Sequence, residues 1–130
     1  MENCPFCLEN NVIKGSILLK NDHCYMVESI DPVLSAAGMI IPHRHVENPF
    51  DLNETEWQGI KKLLSEARTL FDTQYAPDGY NVGWNIGEVA GQNEAHVHLH
   101  IIARFKDEPL VGKGIRYAFK QESNKRTGGK

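Results

Sequence analysis

The sequence predicts an α+β fold, in which one long helix packs on an antiparallel sheet of about five strands. Several short segments favour extended structure, because apolar and β-branched residues alternate or cluster in them between turn residues. One longer segment instead has apolar residues at helical spacing. With 130 residues, the chain is long enough for one domain with a single ordinary core.

The first three strands are predicted in the amino-terminal third of the chain. Residues 15–20 and 23–29 are expected to form a hairpin across a short turn, and residues 38–42 to form an apolar strand that ends at a proline. Cys24 lies inside the second of these strands, where a buried and unreactive thiol is expected.

The helix is predicted over residues 53–74. Asn53 suits the N-cap, and Glu56 three residues later completes a capping box. Turn residues at 77–79 end the helix. The apolar side chains that recur at helical spacing form one stripe that is expected to pack on the sheet: Trp57, Ile60, Leu63, Leu64, Ala67, Leu70 and Phe71.

The last two strands are predicted at residues 80–86 and 95–103. The second reads Ala-His-Val-His-Leu-His-Ile-Ile-Ala, so three of the six histidines alternate with apolar residues. Because strand side chains alternate between faces, His96, His98 and His100 are expected on one face, with successive imidazoles about 6.6 Å apart. The plain alternative is a half-exposed strand that uses histidine as its polar residue.

The charge is unevenly distributed along the chain. The formal net charge is −3; residues 1–103 have 6 basic and 14 acidic side chains (−8), and residues 104–130 have 8 basic and 3 acidic (+5). An acidic body with a basic tail is no broad nucleic-acid surface, so we expect no nucleic-acid partner. No apolar run approaches the ~20 residues that a membrane helix needs, so no membrane partner is expected either.

The cysteine content favours a cytoplasmic protein. Three cysteines, an odd number, argue against a disulfide framework and for a reducing compartment. The first residues lack a basic region followed by an apolar one, so no secretory signal is expected.

The sequence Cys4-Pro5-Phe6-Cys7 has three possible roles: a zinc knuckle, a redox motif or two unliganded thiols. It resembles the glutaredoxin active site, but a redox motif of that kind follows a first strand and begins a helix, and here only three residues precede it. A zinc knuckle would need two more ligands from elsewhere in the fold.

Residues 87–94 form the loop before the histidine strand. Its two glycines would let backbone N–H groups approach an anion, and Gln92 adds an amide donor. Alone, this loop fits a plain hairpin connection equally well. Next to three histidines we interpret it as a phosphate cradle.

The run His-Val-His-Leu-His-Ile-Ile, with Gly91 and Gln92 just before it, resembles the motif that names the histidine triad (HIT) family of nucleotide hydrolases and transferases. The resemblance covers about residues 4–105. It implies a HIT-like sheet with one helix in a domain of residues 1–110, and a homodimer. Residues 111–130 form a basic tail, for which a solvated state is favoured over contact of Lys113 and Arg116 with a phosphate or a partner subunit.

The resemblance also implies roles for single residues. His98 would be the nucleophile, and His100 would stabilise the oxyanion or assist the leaving group. A zinc-carrying branch of the family has structural ligands at the positions of Cys4, Cys7, His45 and His96. The expected substrate contacts are Asn85, Gly91, Gln92 and Asn93.

This chain departs from the family pattern at two positions. Ala37 stands where relatives usually have a fourth active-site histidine. Ser29 stands where several relatives have an aspartate that contacts ribose, and Asp31 is two residues away. These departures bear on substrate choice and turnover more than on the nucleophile.

The expected reaction is cleavage at the α-phosphate of a nucleoside polyphosphate or phosphoramidate, as in a dinucleoside polyphosphate hydrolase, through a covalent nucleotidyl-histidine. An imidazole with a pKa near 6.5 is largely neutral at cellular pH and can act as the nucleophile. Two alternatives remain: a nucleotide-binding regulatory protein with little or no activity, and a hydrolase with His96, His98 and His100 on one metal ion.

Overall fold

The computed structural model describes residues 1–128. It confirms the predicted fold class, since one helix packs on a five-stranded antiparallel sheet whose strands lie in the order β1-β2-β3-β5-β4. The helix α1 spans Glu54–Tyr75. The strands are β1 (Ile17–Lys20), β2 (Cys24–Glu28), β3 (Ala37–Pro42), β4 (Gly79–Trp84) and β5 (Leu99–Arg104).

The first hairpin forms as predicted, because the side chain of Asn21 closes its turn. The Asn21 carboxamide oxygen accepts hydrogen bonds from the backbone N–H groups of His23 (2.9 Å) and Cys24 (3.0 Å). This local bond to the backbone is typical of asparagine in turns. Cys24 is fully buried, and burial raises the pKa of its thiol to about 12, which fits the expected unreactive thiol.

The predicted N-terminus of α1 is confirmed together with its capping box. The Asn53 side chain accepts from the Glu56 N–H, and the Glu56 carboxylate accepts from the Asn53 N–H, both at 2.9 Å. The helix ends at Tyr75, and Ala76 follows in the left-handed region at φ 47°.

The predicted apolar stripe of α1 packs on the sheet with one exception. Ile60, Leu63, Ala67 and Phe71 are buried in the main core. Trp57 is 38% exposed and lies at the rim, where its ring meets Trp84 edge-on at 5.9 Å between centroids. The buried stripe therefore does not include Trp57, which its helical spacing had placed in it.

The opposite face of the sheet, which we call the open face, carries a smaller core. Tyr25, Val27 and Ile41 are fully buried there under side chains of the amino-terminal segment, including Phe6. The Tyr25 hydroxyl donates to the backbone carbonyl of Phe6 at 2.6 Å. The amino-terminal segment is thus fixed over the open face, which brings the C-x-x-C sequence to the end of the sheet.

The histidine strand begins later than predicted. The ladders of β5 with β3 and with β4 both begin at Leu99, so His96 and His98 precede the strand. Before β5 begins, the chain lies beside the segment that follows β3, and the Val97 N–H donates to the Val46 carbonyl at 2.7 Å. The alternation of faces is nevertheless kept, since Val97 and Leu99 belong to the main core while His98 contacts Phe6.

Within residues 1–128, no helix is both long and apolar enough to span a bilayer.

Glu56 at the start of α1 makes contacts whose contribution to stability can be measured. Arg44 donates to both carboxylate oxygens of Glu56, at 3.0 and 2.8 Å. Glu56 therefore caps the helix and also binds the segment that follows β3. We expect Asn53→Ala to lower the free energy of unfolding in urea by about 1 kcal/mol. Glu56→Ala should cost more, because it removes a cap bond and leaves Arg44 without its carboxylate partner.

The control and the pH dependence sharpen this test. Lys62→Ala, on the exposed side of the helix, should change the unfolding free energy by less than about 0.5 kcal/mol. The Arg44 hydrogen bonds hold the pKa of Glu56 below its usual 4.5. The stabilisation from Glu56 is therefore fully present above about pH 4.5 and shrinks as the pH falls. Equal effects of Glu56→Ala and Lys62→Ala at pH 7 would contradict this account.

Candidate active site and metal centre

Four metal-ligating side chains meet at the end of the sheet. The Cys4 Sγ lies 3.4 Å from the His96 Nδ1, and the Cys7 Sγ lies 3.5 Å from the His45 Nδ1 and 3.6 Å from the His96 Nδ1. All four ligand atoms lie within 4.8 Å of one another. Residues far apart in sequence therefore form one cluster, which could bind a metal ion.

A single hydrogen bond fixes the orientation of His96 in this cluster. Its Nε2 lies 2.7 Å from the Pro42 carbonyl oxygen. A carbonyl only accepts, so Nε2 carries the proton and donates, and Nδ1 presents its lone pair to the thiols. His96 is fully buried, and burial lowers the pKa of its imidazole to about 4, so the ring is neutral at neutral pH. A neutral nitrogen is what a metal requires of histidine.

The donor set fits a closed structural site. Two cysteine sulfurs and two imidazole nitrogens provide four donors, with none left for a reacting ligand. Within residues 1–128 this is the one group of ligand atoms suited to a metal, and neither His98 nor His100 belongs to it. The His96 Nδ1 faces the thiols, which argues against three triad histidines on one ion. Cys4 and Cys7 are free thiols, each beside an imidazole.

His98 follows with its own fixed orientation. Its Nδ1 lies 3.0 Å from the backbone carbonyl oxygen of His96, so Nδ1 carries the proton and donates. In the neutral ring, the lone pair of His98 is therefore on Nε2. The ring is 7% exposed and meets Phe6 edge-on at 5.0 Å between centroids. This arrangement fixes the orientation of the ring and of the nitrogen that is its candidate nucleophile.

His100 lies on the open face beside His98. The two ring centroids are 4.9 Å apart, and the rings are inclined at 72°. Burial, and to a lesser extent the neighbouring His98, lower the pKa of His100. A neutral ring at this position can donate one N–H to an oxygen that gains charge next to His98.

The loop before β5 holds the predicted substrate contacts, but Gln92 faces inward. Its amide nitrogen donates to the carbonyl oxygens of Glu47 (2.8 Å) and Glu94 (3.0 Å), and its carboxamide oxygen accepts from the Gly87 N–H at 2.8 Å. Gln92 thus fastens the loop to the segment after β3. The expected donation from its amide to a substrate stays a prediction.

The other predicted contacts lie around the same loop. Gly91 adopts φ +95°, a conformation that favours glycine, and its carbonyl accepts from the Asn85 side chain at 3.5 Å. Asn93 is exposed. Ala37, at the position of the missing histidine, pairs with Ile102 on β5.

Two contributors to the site were not found from the sequence. Phe6 packs against His98, and the Pro42 carbonyl orients His96. Phe6 sits inside the C-x-x-C sequence, so its position was a usable signal. A backbone carbonyl leaves no signal in the identity of its residue.

Comparison with known proteins agrees with this geometry. The family model for the HIT domain matches residues 10–107. The protein hit of Bacillus subtilis is 33% identical over 109 residues, which cover 80% of this chain and 72% of that protein. The bis(5'-adenosyl)-triphosphatase of Saccharomyces cerevisiae is 30% identical over 105 residues, covering 80% of this chain and only 51% of the yeast protein.

Comparison with solved structures supports the same family. The crystal structure of a HIT family protein from Bacillus anthracis superposes with a TM-score of 0.74 at 28% identity, covering 82% of this chain and 76% of that one. The matched family domain includes β1 to β5 and the histidines described above. The chain therefore belongs to the HIT family.

Proposed function

We propose that this protein is a nucleotide hydrolase or transferase that cleaves at the α-phosphate of a nucleoside polyphosphate or phosphoramidate. The observation that carries the proposal is the orientation of His98, whose Nδ1 donates to the His96 carbonyl, so that Nε2 holds the lone pair of the neutral ring. The name of the yeast relative, a bis(5'-adenosyl)-triphosphatase, supports the same class of reaction.

The proposed reaction has two displacements. In the first, the His98 Nε2 forms a bond to the α-phosphorus, and the bond from phosphorus to the leaving group breaks. His100 donates a hydrogen bond to the leaving group or to a non-bridging oxygen. In the second, water or another acceptor attacks phosphorus and loses a proton to solvent, the P–N bond breaks, and its electron pair returns to the His98 Nε2.

The loop before β5 would hold the substrate. Gly87 and Gly91 have positive φ angles that turn the chain sharply in the loop that precedes the histidines. In the proposal, Asn85, Gly91 and Asn93 contact the phosphate. Gln92 would either reorient its amide or hold the loop in place through Glu47.

The metal in the proposal is a structural zinc ion held by Cys4, Cys7, His45 and His96. Bound zinc would cross-link the amino-terminal segment to the chain before β5. The consequence for the reaction is indirect, since His96 provides the carbonyl that orients His98.

The remaining predictions, a homodimer in the cytoplasm and a domain of residues 1–110 with a basic tail at 111–130, are kept as proposals; residues 129–130 of that tail lie outside the described residues.

A second candidate is a nucleotide-binding regulatory protein with little or no turnover. Two observations favour it: Ala37 stands at the position of the missing histidine, and the Gln92 amide is already bonded to Glu47 and Glu94. Nucleotide binding by the unaltered protein without turnover of any substrate would decide for this candidate.

The zinc assignment predicts how metal content responds to substitution. Elemental analysis should find about one zinc ion per chain, and chelation should lower the melting temperature, because binding energy in such sites is folding energy. Cys4→Ser should lose zinc. Cys24→Ala, a matched change of a buried cysteine outside the cluster, should keep it. Zinc retained by Cys4→Ser but lost by His98→Ala would refute the ligand set.

The nucleophile is tested by substitution of His98. We expect His98→Ala to lose several orders of magnitude in turnover while it still folds and binds nucleotide, because only binding and oxyanion contacts remain. His98→Gly should regain some rate when imidazole is added. His43→Ala is the matched control, since His43 is exposed and lies outside the histidine row, which consists of His96, His98 and His100. The mechanism is wrong if His98→Ala turns over within about tenfold of the parent.

A further inference from the structure

The segment after β5, which we call the arch (residues 105–120), is fastened across the open face by Arg104. The Arg104 guanidinium donates to the Glu108 carboxylate at 2.9 and 3.1 Å, to the Leu110 carbonyl at 3.0 Å and to the Lys113 carbonyl at 2.8 Å. A further hydrogen bond joins Arg104 to the side chain of Asn81 on β4. One side chain therefore ties the start of the predicted solvated tail to two strands.

A cavity of about 430 Å³ lies between the arch and β4. Lys113, Arg116 and Lys120 line it, together with Asn81 and Tyr117, and no acidic side chain does. The ammonium of Lys113 lies 5.0 Å from the centroid of the Tyr117 ring. Within residues 1–128, none of these three cations forms an ion pair. A protein with a net charge of −3 thus concentrates unneutralised positive charge around one cavity.

The backbone of the arch is also open to an anion. Lys113 lies between Gly112, at φ +81°, and Gly114. Among residues 1–128, no atom other than those of the glycine and its two chain neighbours lies within 4 Å of the position that a Cβ would take at either glycine. A negatively charged group can therefore approach the main chain beside the Lys113 side chain.

The cavity adjoins the histidine row along β4. Gly83 pairs with His100, and Asn81, which lines the cavity, pairs with Ile102. Asn81 and Gly83 share the open face and lie roughly 6.6 Å apart. The Ile115 side chain of the arch lies 3.5 Å from the position of a Cβ at Gly83, so the arch extends to the strand position opposite His100.

We propose that this cavity binds the distal phosphates of the substrate, meaning the phosphates of the leaving group beyond the one that His98 attacks. The inference rests on the proposed function and narrows its substrate class to nucleoside polyphosphates. A polyphosphate leaving group carries negative charge that Lys113 and Arg116 can neutralise as the bond to the α-phosphorus breaks. An amine leaving group of a phosphoramidate has no such charge.

The binding experiment uses inorganic tripolyphosphate and isothermal calorimetry at low salt. The double variant Lys113→Ala/Arg116→Ala should bind tripolyphosphate at least about tenfold more weakly than the parent. The matched control Lys61→Ala/Lys62→Ala, which removes two cations from the exposed side of α1, should bind like the parent. No binding by the parent, or equal weakening in both double variants, would overturn the proposal.

The kinetic experiment shows whether the bound phosphates belong to the substrate. The measured quantity is kcat/KM for a dinucleoside triphosphate divided by kcat/KM for a nucleoside phosphoramidate. This ratio should fall about tenfold in Lys113→Ala/Arg116→Ala and stay constant in the control. An unchanged ratio would overturn the assignment even if tripolyphosphate binds. If the parent turns over neither substrate, the proposed function fails, and calorimetry alone decides whether the cavity binds phosphate chains.

Discussion

The buried hydrogen bond from the His96 Nε2 to the Pro42 carbonyl determines which nitrogen of His96 is free, and the His96 backbone in turn orients His98. Because that carbonyl can only accept, the His96 Nδ1 must face the thiols of Cys4 and Cys7 with its lone pair. The backbone carbonyl of the same residue accepts from the His98 Nδ1, which places the lone pair of a neutral His98 ring on Nε2. One buried residue thus orients both the metal cluster and the proposed nucleophile.

The rest of the fold supports this pair of bonds from three sides. Tyr25 holds the Phe6 backbone through its hydroxyl, and the Phe6 ring packs against His98. Gln92 fastens the loop before the histidines to the Glu47 backbone. Arg44, next to the cluster residue His45, is bonded to Glu56 in the first turn of α1. Loss of any one of these contacts is expected to loosen the histidine row before it unfolds the sheet.

Features that depend on residues close together in the sequence were predicted best. The α1 cap follows from Asn53 and Glu56 three residues apart, and the order of strands and turns follows from local patterns. The convergence of Cys4 with His96, 92 positions later in the chain, could not be predicted from spacing and came only from the family resemblance. The start of β5 was placed too early because it depends on where the ladders with β3 and β4 begin. The arch was not predicted, because two of the acceptors of Arg104 are the backbone carbonyls of Leu110 and Lys113, which carry no sequence signal.

The His98 Nε2, on which these bonds place the lone pair of the neutral ring, is expected to become covalently nucleotidylated during turnover. The most direct test quenches the protein during turnover of a nucleotide labelled at the α-phosphate and locates the label by mass spectrometry. Trypsin should release residues 69–104, which contain the whole histidine row, and fragmentation then separates its three histidines. The account predicts one nucleoside monophosphate on His98, bound through an acid-labile P–N bond. Label on His96, on His100 or on a cysteine, or active turnover with no labelled protein at any quench time, would contradict it.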